Sequence, residues 1–296
     1  MTRIAISGYA SLDYVLQLAD EPRPNRTVVV TSRPEAEAWP RAGGSPTYIG
    51  AAIGRAGGVD VSVLTWIGRD SVGAEYLDRL AALGLNTAGV ARSLPGRTPI
   101  CVLAYDPSGV CYCLYEALEA RAGIFTEEQL AILDAADWAC LAAEPPAATR
   151  AALARISDRQ FVVWAVKGDP DAFPEDVRRD LAVRADLIVH SKGERDFVAP
   201  FLGASPRRPG RLLVETLGAH GAELTIGGRT VAVPLDAKQA IEGRDPTGAG
   251  DTFLGGLIAA LIARPSDPVA AVRAGQAAAR AMLAARNKHS EGGDQG

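Results

Sequence analysis

Residues 243–256 read GRDPTGAGDTFLGG. Three glycines and a proline fall in the first eight positions, an aspartate stands at 251, and the chain then turns apolar. Phe253, Leu257 and Leu261 are spaced four apart, and so are Leu254, Ile258 and Ile262. Two such rows form the wide apolar face of a buried helix. The glycine-rich turn therefore opens a helix, with Asp251 at its N-terminus. Such a terminus offers unpaired backbone N–H groups and a partial positive charge of about half a unit. Gly248 and Gly250 allow the backbone to approach a ligand closely. An anion that grows more negative during a reaction fits this turn. The same field is expected to keep Asp251 ionised at neutral pH. An ionised aspartate there can take a proton from an alcohol as it attacks phosphorus. A merely capped helix start would also use GAGD; the longer DPTGAGD is the more specific string.

Outward from this turn, apolar runs alternate with helical spacing. RIAISG (3–8), VDVSVLTWIG (59–68), FVVWAV (161–166), DLIVH (186–190) and RLLVET (211–216) read as buried strands. Asp70 begins a helix whose apolar positions Val72, Tyr76, Leu77, Leu80 and Leu83 end at Gly84. Residues 126–134 and 146–156 are further helices. ELTIGGRTVAVP (223–234) is a hairpin turning at Gly227-Gly228. Strands alternating with helices predict an α/β domain with a mostly parallel sheet covered on both faces. Two segments break the rhythm: proline-rich 12–42, and 98–116, which reads strand, Asp-Pro-Ser-Gly turn, strand. They predict a small β lid inserted into a single domain spanning 1–296, although ordinary surface hairpins would read alike. A lid of this kind excludes water from a reacting phosphate. Its exposed strands need covering, so pairing of two copies through the lid is expected. A glycine-rich polar tail at 289–296 is expected to be disordered.

The totals narrow the class. Hydrophobic residues make up 48% of the 296, enough for a full core. A net charge of -4 with 31 Lys+Arg gives no basic footprint for nucleic acid. Ser7, Gly8 and Asp13 interrupt any secretory signal, and no apolar run approaches the ~20 residues that span a bilayer. The expectation is a soluble cytoplasmic protein with no membrane partner. Cys101, Cys111, Cys113 and Cys140 are expected to be reduced, buried thiols, because a metal site would need further ligands nearby. Trp66, Trp138, Trp164 and His190 are expected to be structural, and His220 to lie near the nucleotide with no role assigned.

DPTGAGDTFLGG closely resembles the C-terminal signature of the ribokinase-like, or PfkB, carbohydrate kinase family. SGYASLD (7–13), GGSPTYIGAAIGRAGG (43–58), IGRDSVGAEYLDRLAALGL (67–85) and TLGAHG (216–221) resemble its other motifs in order. The resemblance implies the ribokinase-like fold and ATP-dependent phosphorylation of a small acceptor, with Mg²⁺ arriving with ATP. By position, it makes Asp251 the catalytic base and Gly248, Ala249 and Gly250 the anion hole. Asp13, Gly43 and Gly44 would bind the acceptor, and Thr216, Gly218 and Gly221 would line the ATP site. Asp245 and Thr247 stand where many members hold a monovalent cation; whether K⁺ is needed stays open.

The departures from the family concern specificity. Tyr48 replaces an asparagine of the glycine signature. It either offers an aromatic face to a nucleoside-like acceptor or packs under the lid. Ser191-Lys192-Gly193-Glu194 replaces N-x-x-E: Glu194 remains for Mg²⁺ through water, and Ser191 stands in for the asparagine. Ala165 to Asp169 replace D-x-N-x-R, anchored by Phe173-Pro174, leaving Lys167 either as a point charge for phosphate or as a solvated side chain. The reading is a kinase acting on a hydroxyl of a small sugar. The alternatives are a nucleoside kinase and a catalytically silent ligand-binding homologue.

Overall fold

A computed structural model describes residues 1–33, 38–116, 120–203, 206–235 and 245–290. Gly243 and Arg244 of the opening stretch lie outside them. The chain begins β1 (Thr2–Ser7), β2 (Ser11–Leu18), β3 (Val30–Ser32), β4 (Arg41–Gly43), α1 (Ser45–Ala56), β5 (Val59–Trp66) and α2 (Ser71–Ala82). It continues through β6 (Val90–Ala91), β7 (Ile100–Tyr105), β8 (Cys111–Tyr115), α3 (Glu127–Ala135), β9 (Trp138–Leu141), α4 (Pro146–Arg155) and β10 (Phe161–Ala165). It ends with α5 (Glu175–Arg184), β11 (Leu187–Ser191), α6 (Arg195–Leu202), β12 (Leu212–Thr216), β13 (Ala222–Ile226), β14 (Arg229–Val233), α7 (Ala249–Ala263) and α8 (Pro268–Ser290). The expected polar tail thus starts inside α8, and residues 291–296 lie outside the described residues.

Among the described residues, nine strands form the main sheet in the order β14-β13-β12-β11-β10-β9-β1-β5-β6, with parallel neighbours throughout except that β13 runs antiparallel to β12 and β14. Gly227 and Gly228 both take positive φ, 55° and 80°, as a tight hairpin turn requires. β9 had no prediction. Four residues between two helices are too few to show a period, yet β9 pairs with both β1 and β10 in the middle of the sheet. The expected helices start where their caps stand: the Asp70 side chain accepts from the Gly73 N–H, and Thr126 forms a capping box with Gln129. Trp66 and Trp164 are fully buried, whereas Trp138 is partly buried and stacks on Phe161 with centroids 4.0 Å apart.

α7 is apolar nearly all round because it runs between α1 and α8. A Cβ at Gly255 would lie 2.5 Å from the Ile49 carbonyl oxygen, so glycine lets α7 approach α1 closely and fixes where its N-terminus points. Ile4, Ile6, Ile49, Ile53 and Ile258 belong to the cluster that seats this layer. Each such buried side chain contributes about 1.5–3 kcal/mol.

The second sheet has the order β3-β2-β7-β8, with β4 pairing β2. It consists of the segments expected to form the lid. Among the described residues, its own buried cluster is Val15, Cys101, Leu103 and Tyr105, with Tyr115 packed against it, far smaller than the clusters of the main layers. Leu114, on its outer face, is 65% exposed.

Glu144, just beyond β9, is completely buried and accepts hydrogen bonds from the Ser7 and Thr149 hydroxyls. Burial pushes its carboxyl from the ordinary 4.5 up to about 7, against those two bonds. A raised carboxyl pKa means that the folded state holds the proton more tightly. The contribution to stability is therefore full below 4.5 and is lost as pH rises through about 7. At 1.36 kcal/mol per unit, the loss has a ceiling of about 3 kcal/mol. Glu144→Gln keeps a donor and the shape but cannot ionise. It should unfold at higher urea than the native chain near pH ~8, by about 1–3 kcal/mol, with no advantage near pH ~4. Parallel stability curves across that range would refute the assignment.

Candidate active site

A cleft of about 620 Å³ opens between the inner face of the second sheet and the carboxyl ends of the main-sheet strands. Open α/β sheets place ligands at that edge because the connections there diverge. Asp13, Gly44, Tyr48, Lys167, Ser191, Glu194, Thr216, Thr247, Gly248, Gly250 and Asp251 all line it. Gly43, Ala249, Gly218, Gly221 and Asp245 do not, although the sequence reading placed them at the site.

At the cleft floor, Gly248 caps α7 in the left-handed region, with φ 76°. A Cβ there would meet the Tyr48 ring at 2.6 Å, so the turn requires glycine for its backbone angle and for this ring alike. Ala249 and Gly250 are the first two helical residues and Asp251 the third, which places one carboxylate in the first turn; the Ala249 N–H donates to the Pro246 carbonyl at 2.9 Å, which corrects its expected place in the anion hole. Asp251 is half-buried and lines the cleft. Burial pushes its carboxyl above the ordinary range; a hydrogen bond from Ser45 and the charge of Lys167 pull it down, and Glu194 pushes it up again. Burial is the largest of these influences.

Asp13 lines the cleft from β2 and is 3% exposed. Its Oδ1 accepts from Ser11 Oγ at 2.6 Å and its Oδ2 from Tyr48 Oη at 2.9 Å. Burial raises its pKa, and these two bonds, with Arg41, oppose the rise. Tyr48 thus does something neither sequence reading included: it packs on the Gly248 turn and orients Asp13. Gly43 does not line the cleft; it makes room for the Asp13 carboxylate, since a Cβ there would lie 2.0 Å from Asp13 Oδ1. Gly44 faces the cleft with φ 84°, and a Cβ would meet the Tyr9 carbonyl oxygen at 2.1 Å.

The far end of the cleft is held by Lys167, Ser191, Glu194 and Thr216. Ser191 and Glu194 form a capping box: Glu194 Oε2 accepts from the Ser191 N–H at 2.8 Å and from its hydroxyl at 2.9 Å. Glu194 Oε1 accepts from the Gly168 N–H at 3.2 Å, which ties the Lys167 turn to this cap. The S-x-x-E spacing is a visible capping signal that the family comparison obscured. Phe173 is buried edge-on to Trp164, and Pro174 caps α5, so the Phe173-Pro174 anchor is structural. Gly218 opens the exposed turn beyond β12. Gly221 returns the chain into β13 with φ 96°, where a Cβ would strike the Val233 carbonyl oxygen at 2.4 Å. His190 is buried, with Nδ1 2.9 Å from the Ser191 carbonyl oxygen, and His220 is exposed.

Asp245 and Thr247 are engaged by two guanidinium groups. Arg41 Nη2 lies 2.8 Å from Asp245 Oδ2, and Arg286 Nη1 lies 3.6 Å from the same oxygen. Arg286 Nη1 also donates to the Asp245 carbonyl at 3.1 Å and the Thr247 carbonyl at 2.6 Å. The Thr247 hydroxyl is 2.6 Å from Tyr105 Oη, joining this turn to β7.

Period-two alternation puts Ser11 and Asp13, then Cys101, Leu103 and Tyr105, then Cys111, Cys113 and Tyr115, on the cleft side of the second sheet. Cys111 and Cys113 are exposed, which corrects the expectation of four buried thiols; they face the cleft, and only Cys101 and Cys140 are buried. Cys101 and Cys113 sulfurs are 3.6 Å apart. Ser45, Tyr105 and Arg286 had no signal in the sequence as site residues, since each gains its position through a partner far along the chain.

The family model for the pfkB family carbohydrate kinases matches residues 22–290, and the chain belongs to that family. The nucleoside kinase of Methanocaldococcus jannaschii, an archaeal member of the ribokinase family, is similar in structure, with TM-score 0.78 and 19% identity over 98% of this chain and 97% of that one. The ribokinase of Cryptococcus neoformans in complex with ADP gives 0.74 at 20% identity, over 98% and 99%. The nucleoside kinase of Burkholderia thailandensis in complex with inosine gives 0.74 at 20%, over 95% and 90%. At these identities the likeness establishes the fold: a large, mostly parallel sheet flanked by helices. No curated protein matches the chain. No helix among the described residues is long and apolar enough to cross a membrane.

Proposed function

We propose that this chain transfers the γ-phosphoryl of ATP to a sugar hydroxyl of a nucleoside-like acceptor. The carrying observation is the convergence, in one cleft, of Asp251, the Gly248 turn and Lys167, with Asp13 at the acceptor end. Asp13, aimed by Ser11 and Tyr48, accepts hydrogen bonds from acceptor hydroxyls and presents one of them to Asp251. Asp251 takes that proton as the oxygen attacks, and the Gly248, Gly250 and Asp251 amides meet the charge developing on the moving group, the Ala249 N–H being taken up by the Pro246 carbonyl at 2.9 Å. Lys167, which also lines the cleft, adds a point charge. Thr216, Glu194 and Lys167 would hold the nucleotide end, with Glu194 reaching Mg²⁺ through water. Bound Mg-ATP supplies the phosphoryl group and the cation that neutralises its oxygens. The second sheet closes over both ends and excludes water.

The choice between a bare sugar and a nucleoside turns on the lid. A sugar presents hydroxyls all round and calls for polar partners on every side. Here one carboxylate, Asp13, is flanked by Tyr9, Tyr105, Tyr115, Leu103 and three thiols, a wall suited to a flat, weakly polar ring. The measurement is ADP release with Mg-ATP across pentoses, hexoses, sugar phosphates and nucleosides. Turnover with a nucleoside, at a kcat/KM about tenfold or more above any free sugar, is the expected result. Preference for a free sugar would move the assignment to a sugar kinase. ATP binding without turnover on any acceptor would favour the silent binding homologue.

A further inference from the structure

The 245–247 turn leads directly into the anion hole, and its oxygens converge: the Asp245 carboxylate, the Asp245 carbonyl and the Thr247 carbonyl. Hard oxygen donors of this kind suit a monovalent cation, which the family resemblance would place here. The residues present do not fit one. Arg286 Nη1 already stands 2.6 Å from the Thr247 oxygen, 3.1 Å from the Asp245 carbonyl oxygen and 3.6 Å from Asp245 Oδ2. Arg41 Nη2 lies 2.8 Å from Asp245 Oδ2. Arg41, Arg286 and Asp245 are all buried. A free cation binding the same three oxygens would have to occupy the space of Nη1 and sit beside two like charges.

We propose that Arg286 is a built-in replacement for the monovalent cation, and that this kinase works without K⁺. The guanidinium is covalently fixed at the end of α8, so its charge and its donors are always in place. It holds the two carbonyls inward, which leaves the following turn with Gly248, Gly250 and Asp251 on the cleft. Arg286 is thus a positioning residue for the anion hole and does not touch substrate. Arg41 neutralises the remaining charge on Asp245 and, from the other side, faces the Tyr48 ring at 6.0 Å. Behind these groups lies a separate cavity of about 230 Å³, lined by Tyr48, Arg79, Met282, Arg41 and Arg286. It would give a small cation access to the site once the Arg286 side chain is removed.

This inference rests on the phosphotransfer reading, and the test separates the two. The native chain is compared in KCl and in tetramethylammonium chloride at equal ionic strength, by ADP release with its best acceptor and by calorimetric ADP affinity. Both should agree between the salts within about twofold. Arg286→Ala should lose about 10–100-fold in kcat/KM in tetramethylammonium, because a displaced anion hole misaligns the reacting groups. Added KCl or guanidinium chloride should restore much of that loss, a response that a simple packing defect would not give. Arg286→Lys, which keeps a cation, should fall between the native chain and Arg286→Ala. Stimulation of the native chain by K⁺ of about tenfold or more would overturn the proposal, as would a folded Arg286→Ala variant indifferent to both cations. If no acceptor is turned over in either salt, the kinase reading fails. The ADP affinities still decide the cation question, with equal values in the two salts supporting the replacement and tighter binding in KCl overturning it.

Discussion

Asp251→Asn should lower kcat by about 10²–10⁴-fold, the usual worth of a positioned general base, while leaving ADP affinity nearly unchanged. Asparagine has the same shape and can keep the hydrogen bond with Ser45, but it cannot accept a proton. The chain should not become less stable, because the carboxylate it loses is one that burial disfavours. The native pH profile carries a second signature. The base must be ionised to act, and burial raises its pKa, so kcat/KM should fall as pH drops through a value above that of an ordinary aspartate. The variant should lack this acid limb. ADP release across pH, with calorimetry of ADP on both proteins, reads all of these effects. A variant retaining kcat within about tenfold would remove Asp251 from the chemistry.

Gly43→Ala should raise the acceptor KM by about 10–100-fold with ADP binding intact, although residue 43 does not line the cleft. The new Cβ would fall 2.0 Å from Asp13 Oδ1 and 2.2 Å from its Cγ. Either the carboxylate leaves its position or β4 pulls away from β2, where Gly43 pairs with Ser11. The first course breaks the bonds from Ser11 and Tyr48 that aim Asp13. Hydrogen bonds to a charged group are worth about 1.5–3 kcal/mol each, which sets the size of the effect. A split between acceptor KM and ADP affinity distinguishes this from general unfolding, which would weaken both. An unchanged acceptor KM would mean that Asp13 does not bind the acceptor.

Local pattern made much of this molecule legible in advance. The apolar runs around Ile4, Val63, Val163, Ile188 and Val214 became strands of one sheet, with β9 between β10 and β1, because burial on both faces leaves an apolar string. The α7 start was readable because glycine, proline and aspartate act within one turn of backbone. The two segments of the second sheet stood out because they lack helical spacing. β9 was not readable: at four residues it has no period, and its place in the sheet comes from its neighbours.

By itself, the sequence determined the strand–helix alternation, the glycine turn and the presence of Asp251 and Asp13, all of which depend on residues within a few positions of one another. Tertiary structure decided how those groups are tuned. It made Gly43 a spacer for Asp13, set Tyr48 between Asp13 and Gly248, and raised the Asp251 carboxyl by burial. It also brought Arg286 onto the carbonyls of Asp245 and Thr247, 41 and 39 residues back along the chain. Contacts over such separations arise from the packing of whole layers, α8 against α7 and the second sheet against the first. Nothing in the residues flanking Arg286 carries information about the oxygens it will meet.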